Sequence, residues 1–232
     1  MKFIIISLAL MCMSQGESAR ILVVSPTGTK SHKNTFVALT KELVKRGHDV
    51  TILGNYATSG FASSEGIHEI LLPELEVDLS KFPSPFQTAM GNITFDDMRF
   101  LLHFALTGSL ASTEKFFRNT RVQHLLANSQ FDLVIGTFVS GFLSLPLAWN
   151  FKAPIIMTSP NVLLPGLASK LGDSDHTEYV PFVLSSYSDK MNLVERVSNT
   201  LFTTFFIKMS DITQWGMQDI IEKVCTAKIS SP

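Results

Sequence analysis

Three observations predict an α/β fold, with a Rossmann-like parallel sheet and helices on both of its faces. Short β-branched runs alternate with amphipathic helical patterns along the chain. The first of them, Arg20 to Val24, is continuously apolar after its first residue, as a strand covered on both faces should be. The first strand, helix and strand together fit in about thirty residues, the size of a right-handed βαβ unit.

Arg20-Ile21-Leu22-Val23-Val24 reads as a buried strand, and Pro26 and Gly28 break it. The pattern over 34–46 predicts a helix that buries Phe36, Leu39 and Leu43, with Val37 and Val44 beside them. Glu42 and Arg46 stand at i and i+4, and Gly47 supplies a left-handed stop. Val50-Thr51-Ile52-Leu53 is the next strand. A Gly/Ser/Ala-rich loop over 55–66 leads to a strand at 67–72 and a proline-punctuated acidic connection over 73–85. Helical patterns cover 95–106 and 112–128, the second with Phe116, Val122 and Leu125 inward. Strand 131–135, helix 138–149 and strand 153–158 complete the alternation. After a polar stretch, Ser188 is the expected N-cap of a long helix whose stripe is Met191, Val194, Val197, Leu201 and Phe205. A separate last helix is expected over 211–224.

Composition narrows the class. The chain has 232 residues, 45% of them hydrophobic and 17% charged, enough apolar material for a sizeable core. A formal net charge of −1 leaves no electrostatic footprint for nucleic acid. Lys2, the apolar run 3–13 and the small and polar residues 14–19 read as a secretory leader cleaved near Ala19. This leaves 20–232 as one domain. Only two cysteines occur, Cys12 in the leader and Cys225, so neither a disulfide framework nor a Cys/His metal site is expected. Asn92-Ile93-Thr94 is a glycosylation sequon, meaningful once secretion is accepted.

The candidate site is Ser25-Pro26-Thr27-Gly28-Thr29-Lys30-Ser31-His32, read as a loop leaving a buried strand and entering a helix. Open α/β sheets place their ligands there. His32 is the group in it that exchanges a proton near neutral pH without help. A single glycine in this loop excludes both the G-x-G-x-x-G dinucleotide fingerprint and a phosphate-cradling loop. Ala62-Ser63-Ser64-Glu65-Gly66 is a faint nucleophile elbow, but it precedes a strand where the elbow must come after one. His48, His68, His103, His124 and His176 fall in a turn, a strand, helical patterns and a polar loop, and take structural or surface roles.

Ser31-His32 entering a helix, Arg46-Gly47-His48-Asp49-Val50-Thr51 closing it, and Phe131-Asp132-Leu133-Val134-Ile135 running on to Phe151-Lys152-Ala153-Pro154 resemble the UDP-glycosyltransferases. Val180-Pro181-Phe182, Ser188-Asp189-Lys190-Met191 and Glu195-Arg196-Val197-Ser198-Asn199-Thr200-Leu201 resemble the arthropod members especially. The resemblance implies the N-terminal, acceptor-binding half of a two-domain GT-B glycosyltransferase. The family's donor loop, membrane helix and basic tail have no counterpart in these residues. A UDP-sugar is implied as co-substrate and a small lipophilic hydroxyl compound as acceptor, with no cofactor and no metal. The donor half selects among glucose, glucuronic acid and other sugars, and the arthropod-like stretch points to UDP-glucose. The endoplasmic reticulum lumen is the implied location, with membrane attachment only through the missing anchor.

The resemblance gives His32 the role of general base. It takes the proton of the acceptor hydroxyl as that oxygen attacks the anomeric carbon and UDP leaves from the opposite face. Such proton transfer contributes about 10²–10⁴ in rate. The family orients this histidine with a carboxylate which, counted from Phe131-Asp132, falls on Thr137. Threonine can accept a hydrogen bond from the imidazole but cannot stabilise an imidazolium by charge. Asp132 lies five residues earlier, roughly 16 Å along an extended strand, and cannot replace it. Little or no turnover is expected from these residues alone. The alternative is a non-catalytic half-protein that binds lipophiles or pairs with other UDP-glycosyltransferase chains and modulates them.

Overall fold

The five expected strands form one sheet. In the computed structural model they are β1 (Arg20–Ser25), β2 (Asp49–Gly54), β3 (Ile67–Leu71), β4 (Leu133–Thr137) and β5 (Ile155–Thr158). Their order is β3-β2-β1-β4-β5 and every pairing is parallel. The structure describes residues 18–27, 30–58, 66–76, 96, 99, 103, 107–159, 165–166, 172, 174–182 and 185–229. Most of the leader, Gly28, Asn92 and most of the helix expected over 95–106 lie outside the described residues.

The helices are α1 (Lys30–Lys45), α2 (Ser109–Arg118), α3 (Thr120–Asn128), α4 (Gly141–Phe151) and α5 (Leu193–Ile229), with 3₁₀ turns at Pro73–Leu75 and Phe138–Ser140. Side-chain alternation along β1 divides the core in two. Ile21 and Val23 join Val50, Ile52, Ile135 and Phe36 of α1 on one face. Leu22 and Val24 join Leu53, Val134, Leu143 and Leu147 on the other, together with Phe116 and Phe117. The last two rings meet edge to face at 4.9 Å between centroids, as do Phe131 and Phe151 at 5.0 Å. β1 is therefore the central strand, and its carboxyl end opens at the middle of the sheet's carboxyl edge.

Several helices depart from expectation. α1 starts four residues earlier than its apolar period suggests, so His32 lies in its first turn and not in a loop. It buries Lys33, Phe36 and Thr40, whereas Leu39 is 38% exposed. Its end is as expected: Gly47 has φ +87°, and the Gly47 and His48 N–H groups donate to Val44 and Leu43 carbonyls. The expected helix 112–128 is two helices, parted at Asn119, whose side chain accepts from the Arg121 N–H at 2.8 Å and caps α3.

The two expected C-terminal helices are one continuous helix, α5. Its cap is Asn192 instead of Ser188. Asn192 Oδ1 accepts from the Glu195 N–H at 3.0 Å and Glu195 Oε2 accepts from the Asn192 N–H at 2.8 Å, a reciprocal capping box. The apolar stripe mostly faces solvent. Met191 is buried, but Val194, Val197, Leu201 and Phe205 are exposed. Among the helix's described side chains, the buried ones are Asn199, Thr203, Thr213 and Met217. Asn199 explains the reversal. Its Oδ1 accepts from the Phe182 N–H at 2.6 Å, and its Nδ2 donates to the Thr177 and Val180 carbonyls at 2.8 and 2.9 Å.

At the amino edge of the sheet, Asp132 is occupied far from His32's end. Arg20 donates to it from Nη2 at 3.0 Å and from its backbone N–H at 2.8 Å, joining the starts of β1 and β4. The guanidinium hydrogen bond, with the backbone one, holds the Asp132 carboxyl below its ordinary value of 3.8. A depressed folded-state value contributes stability above pH 3.8 that is lost as pH falls through it. Both side chains are about half exposed, so the contribution is small. In Arg20→Gln the Asp132 titration, followed by carboxyl NMR, should move up toward the ordinary value. An unmoved titration would contradict this assignment.

Candidate functional site

The carboxyl ends of β1 and β4 are neighbours, with Val24 paired to Gly136. This brings the first turn of α1 and Thr137 to the same edge of the sheet. His32 is half-buried there, and its carbonyl accepts from Thr35 Oγ1 at 2.6 Å, a bond that closes the first turn.

Thr137 is the last residue of β4 and is buried. Its hydroxyl serves the adjoining turn. Thr137 Oγ1 accepts from the Ser140 N–H at 3.2 Å and shares a 3.0 Å hydrogen bond with Ser140 Oγ. Ser144 Oγ in turn donates to the Ser140 carbonyl at 3.0 Å, so the 3₁₀ turn is fixed onto α4. Threonine here is an N-cap for the turn between β4 and α4.

About the end of β1 and the first turn of α1 the structure assembles groups that hydrophobic periodicity does not reveal. Ser25 Oγ and Thr27 Oγ1, at and just beyond the end of β1, are buried with no hydrogen-bond partner. Orphaned hydroxyls of this kind are what a ligand or an ordered water satisfies. Lys30 places its ammonium 5.6 Å from the centroid of the Tyr56 ring. Burial and the neighbouring Glu76 carboxylate push the Tyr56 phenol up from its ordinary value. Lys33 is buried and paired with Glu69 of β3. The sequence carries a signal for Lys33, which falls three residues before Phe36 and seven before Thr40 on the inward face of α1. It carries none for Tyr56 and Glu69, because their roles arise only when β2 and β3 lie side by side.

Two open clefts flank the sheet, one at each edge. A cleft of about 540 Å³ lies along β3 against Thr120, Arg121 and His124 of α3. The other, of about 520 Å³, lies between β5 and α4, beside Trp149 and Leu145. Neither is lined by His32. No group of three or more His, Cys, Asp or Glu side chains able to hold a metal occurs among the described residues.

Chemically, the carboxyl ends of β1 and β4 offer one imidazole and two orphaned hydroxyls.

Residues 19–231 match the family described as UDP-glucoronosyl and UDP-glucosyl transferase. UDP-glucosyltransferase 2 of Dactylopius coccus is 26% identical over 215 residues, covering 90% of this chain and 39% of the relative. Human UDP-glucuronosyltransferase 2B28 is 24% identical over 235 residues, covering 87% of this chain and 40% of the relative. The crystal structure of CalG4, the calicheamicin glycosyltransferase, aligns with a TM-score of 0.43 at 15% identity, covering 86% of this chain and 44% of that one. The chain thus spans about two fifths of the length of the curated relatives it matches.

Proposed function

We propose that this chain, which belongs to the UDP-glucoronosyl and UDP-glucosyl transferase family, is the acceptor-binding side of an enzyme that transfers glucose from UDP-glucose to a small lipophilic hydroxyl compound. His32 is the general base. Its imidazole takes the hydroxyl proton as the acceptor oxygen bonds to the anomeric carbon, and the bond from that carbon to UDP breaks on the opposite face. The observation that carries this reading is the position of His32, in the first turn of the helix after the central strand, at the sheet edge where open α/β folds take ligands. The curated relatives are more than twice as long as the matched region, and their additional length is where we place the hold on the UDP-sugar. The leader directs the chain to the secretory pathway and the endoplasmic reticulum lumen. Among the described residues, no helix is long and apolar enough to cross a membrane.

One observation favours a second reading, a lipophile-binding half-protein without turnover. Thr137 carries no charge, and its hydroxyl is engaged by Ser140. The two readings separate in a chain joined to the remainder of the Dactylopius relative and supplied with UDP-glucose and 1-naphthol. Formation of the glucoside supports the transferase. Binding of 1-naphthol without transfer supports the second reading. In the same assay Thr137→Asp should raise the rate, because a carboxylate can still accept the Ser140 N–H while stabilising an imidazolium. The gain has a ceiling of about 10⁴, the effect of an orienting carboxylate in hydrolytic triads. An unchanged rate would assign the orienting partner to another residue.

A further inference from the structure

We propose that Lys33 and Glu69 are positioning residues, a buried ion pair that fixes the first turn of α1 and thereby sets where the His32 ring stands. The inference rests on the reading of His32 as the base and goes beyond it, since it concerns what holds that base.

Lysine is almost never fully buried unless paired, and here the Lys33 and Glu69 side chains are 3% and 17% exposed. The Lys33 ammonium donates to Glu69 Oε1 on β3 and to the Tyr56 carbonyl just beyond β2. Glu69 also accepts from the Thr58 N–H, at 3.2 Å to Oε1 and 3.4 Å to Oε2. One carboxylate thus joins three segments: the start of α1, the turn after β2, and β3. Gly54 leaves room for the lysine stem, because a Cβ built there would lie 3.1 Å from both Lys33 Cε and Nζ. Lys30, one turn earlier, grips the same segment through the Tyr56 ring.

A well-packed apolar pair of similar volume is often as stable as a buried ion pair, so stability alone does not account for charges at this place. Direction does. An ammonium held by a carboxylate and a carbonyl allows one rotation of the helix about its axis, whereas a methionine among leucines allows several. His32 precedes Lys33 by one residue, so a turn of the helix start swings the imidazole with it.

The test uses the 232-residue chain and the carbethoxylation rate of His32 resolved by mass spectrometry, with His48, at the opposite end of the sheet, as internal reference. Lys33→Met/Glu69→Leu keeps the volume and removes the charges. It should melt close to the wild-type temperature, while the His32-to-His48 rate ratio changes about 2- to 30-fold. Glu69→Gln, which keeps an oxygen for both Lys33 and the Thr58 N–H, should hold the ratio within about twofold of wild type, below the change expected of the double variant. An unchanged ratio in the double variant would reduce the pair to core filling and overturn the proposal. Gly54→Val pushes a branched side chain into the space of the Lys33 stem with both charges kept, and it too must alter the ratio. Wild-type reactivity there overturns the tether even if the double variant does not fold. Protection of wild-type His32 by 1-naphthol reports on the acceptor reading separately, so the failure of either result is recognisable by itself.

Discussion

His32→Ala should abolish sugar transfer, lowering kcat by about 10²–10⁴ in the enzyme joined to the Dactylopius remainder, with UDP-glucose binding nearly unchanged. The size comes from the role. Without a base, the acceptor hydroxyl must attack with its proton still attached. His32 is half-buried and its backbone sits in a helix that alanine favours, so folding should survive the change. A loss confined to KM would instead make His32 a binding group, since removing an interaction made equally in ground and transition states raises KM and spares kcat. Full activity in the variant would remove the assignment altogether.

The second large effect concerns Asn199, at the centre of the arthropod-like stretch. Asn199→Ala should destabilise the chain by about 3 kcal/mol, because a buried backbone group left without its partner costs about 1–3 kcal/mol. The buried Phe182 N–H loses its partner here, and the part-buried carbonyls of Thr177 and Val180 lose theirs. For a domain of this size the loss corresponds to roughly 6–12 °C in melting temperature. Asn199→Asp provides the control. The carboxylate can still accept the Phe182 N–H but cannot donate to the two carbonyls, so most of the loss should persist. Calorimetry of the two variants decides the matter, and wild-type melting in Asn199→Ala would mean that the 177–182 segment is held to α5 by other contacts.

The middle of the sheet is legible in the sequence because β1 and β4 are buried on both faces. Ile21 to Val24 and Leu133 to Ile135 are apolar runs without alternation, and no other element of a soluble domain reads that way at that length. The place of His32 is legible for the same reason, since it lies just past the first of those runs. Its local structure is not. Lys30-Ser31-His32 contains no apolar residue to reveal a helical period, and Pro26 and Gly28 suggest a longer loop than the chain makes.

α5 departs from its sequence pattern on physical grounds that the pattern does not encode. Its continuous helix passes through Met209-Ser210-Asp211, which locally resembles a helix start. Its buried face is set by a polar residue whose three hydrogen bonds exist only after the 177–182 segment has folded back onto it. Lys33 belongs to the same class. A charged residue on an inward stripe looks like an error until Glu69 arrives from a strand 36 residues away.

The resemblance, counted from Phe131-Asp132, implies an orienting carboxylate at position 137, and the structure gives Thr137 a local task there, capping the turn before α4. Whatever orients His32 must therefore act from elsewhere or through the fixed first turn of α1. That makes the distance between the base and a bound acceptor the decisive quantity. A structure of the chain with 1-naphthol bound measures it directly. The expected result is the naphthol hydroxyl within hydrogen-bond reach of a His32 ring nitrogen, about 2.6–3.2 Å. Naphthol seated in either edge cleft, with His32 untouched, would contradict the assignment of His32 as the base.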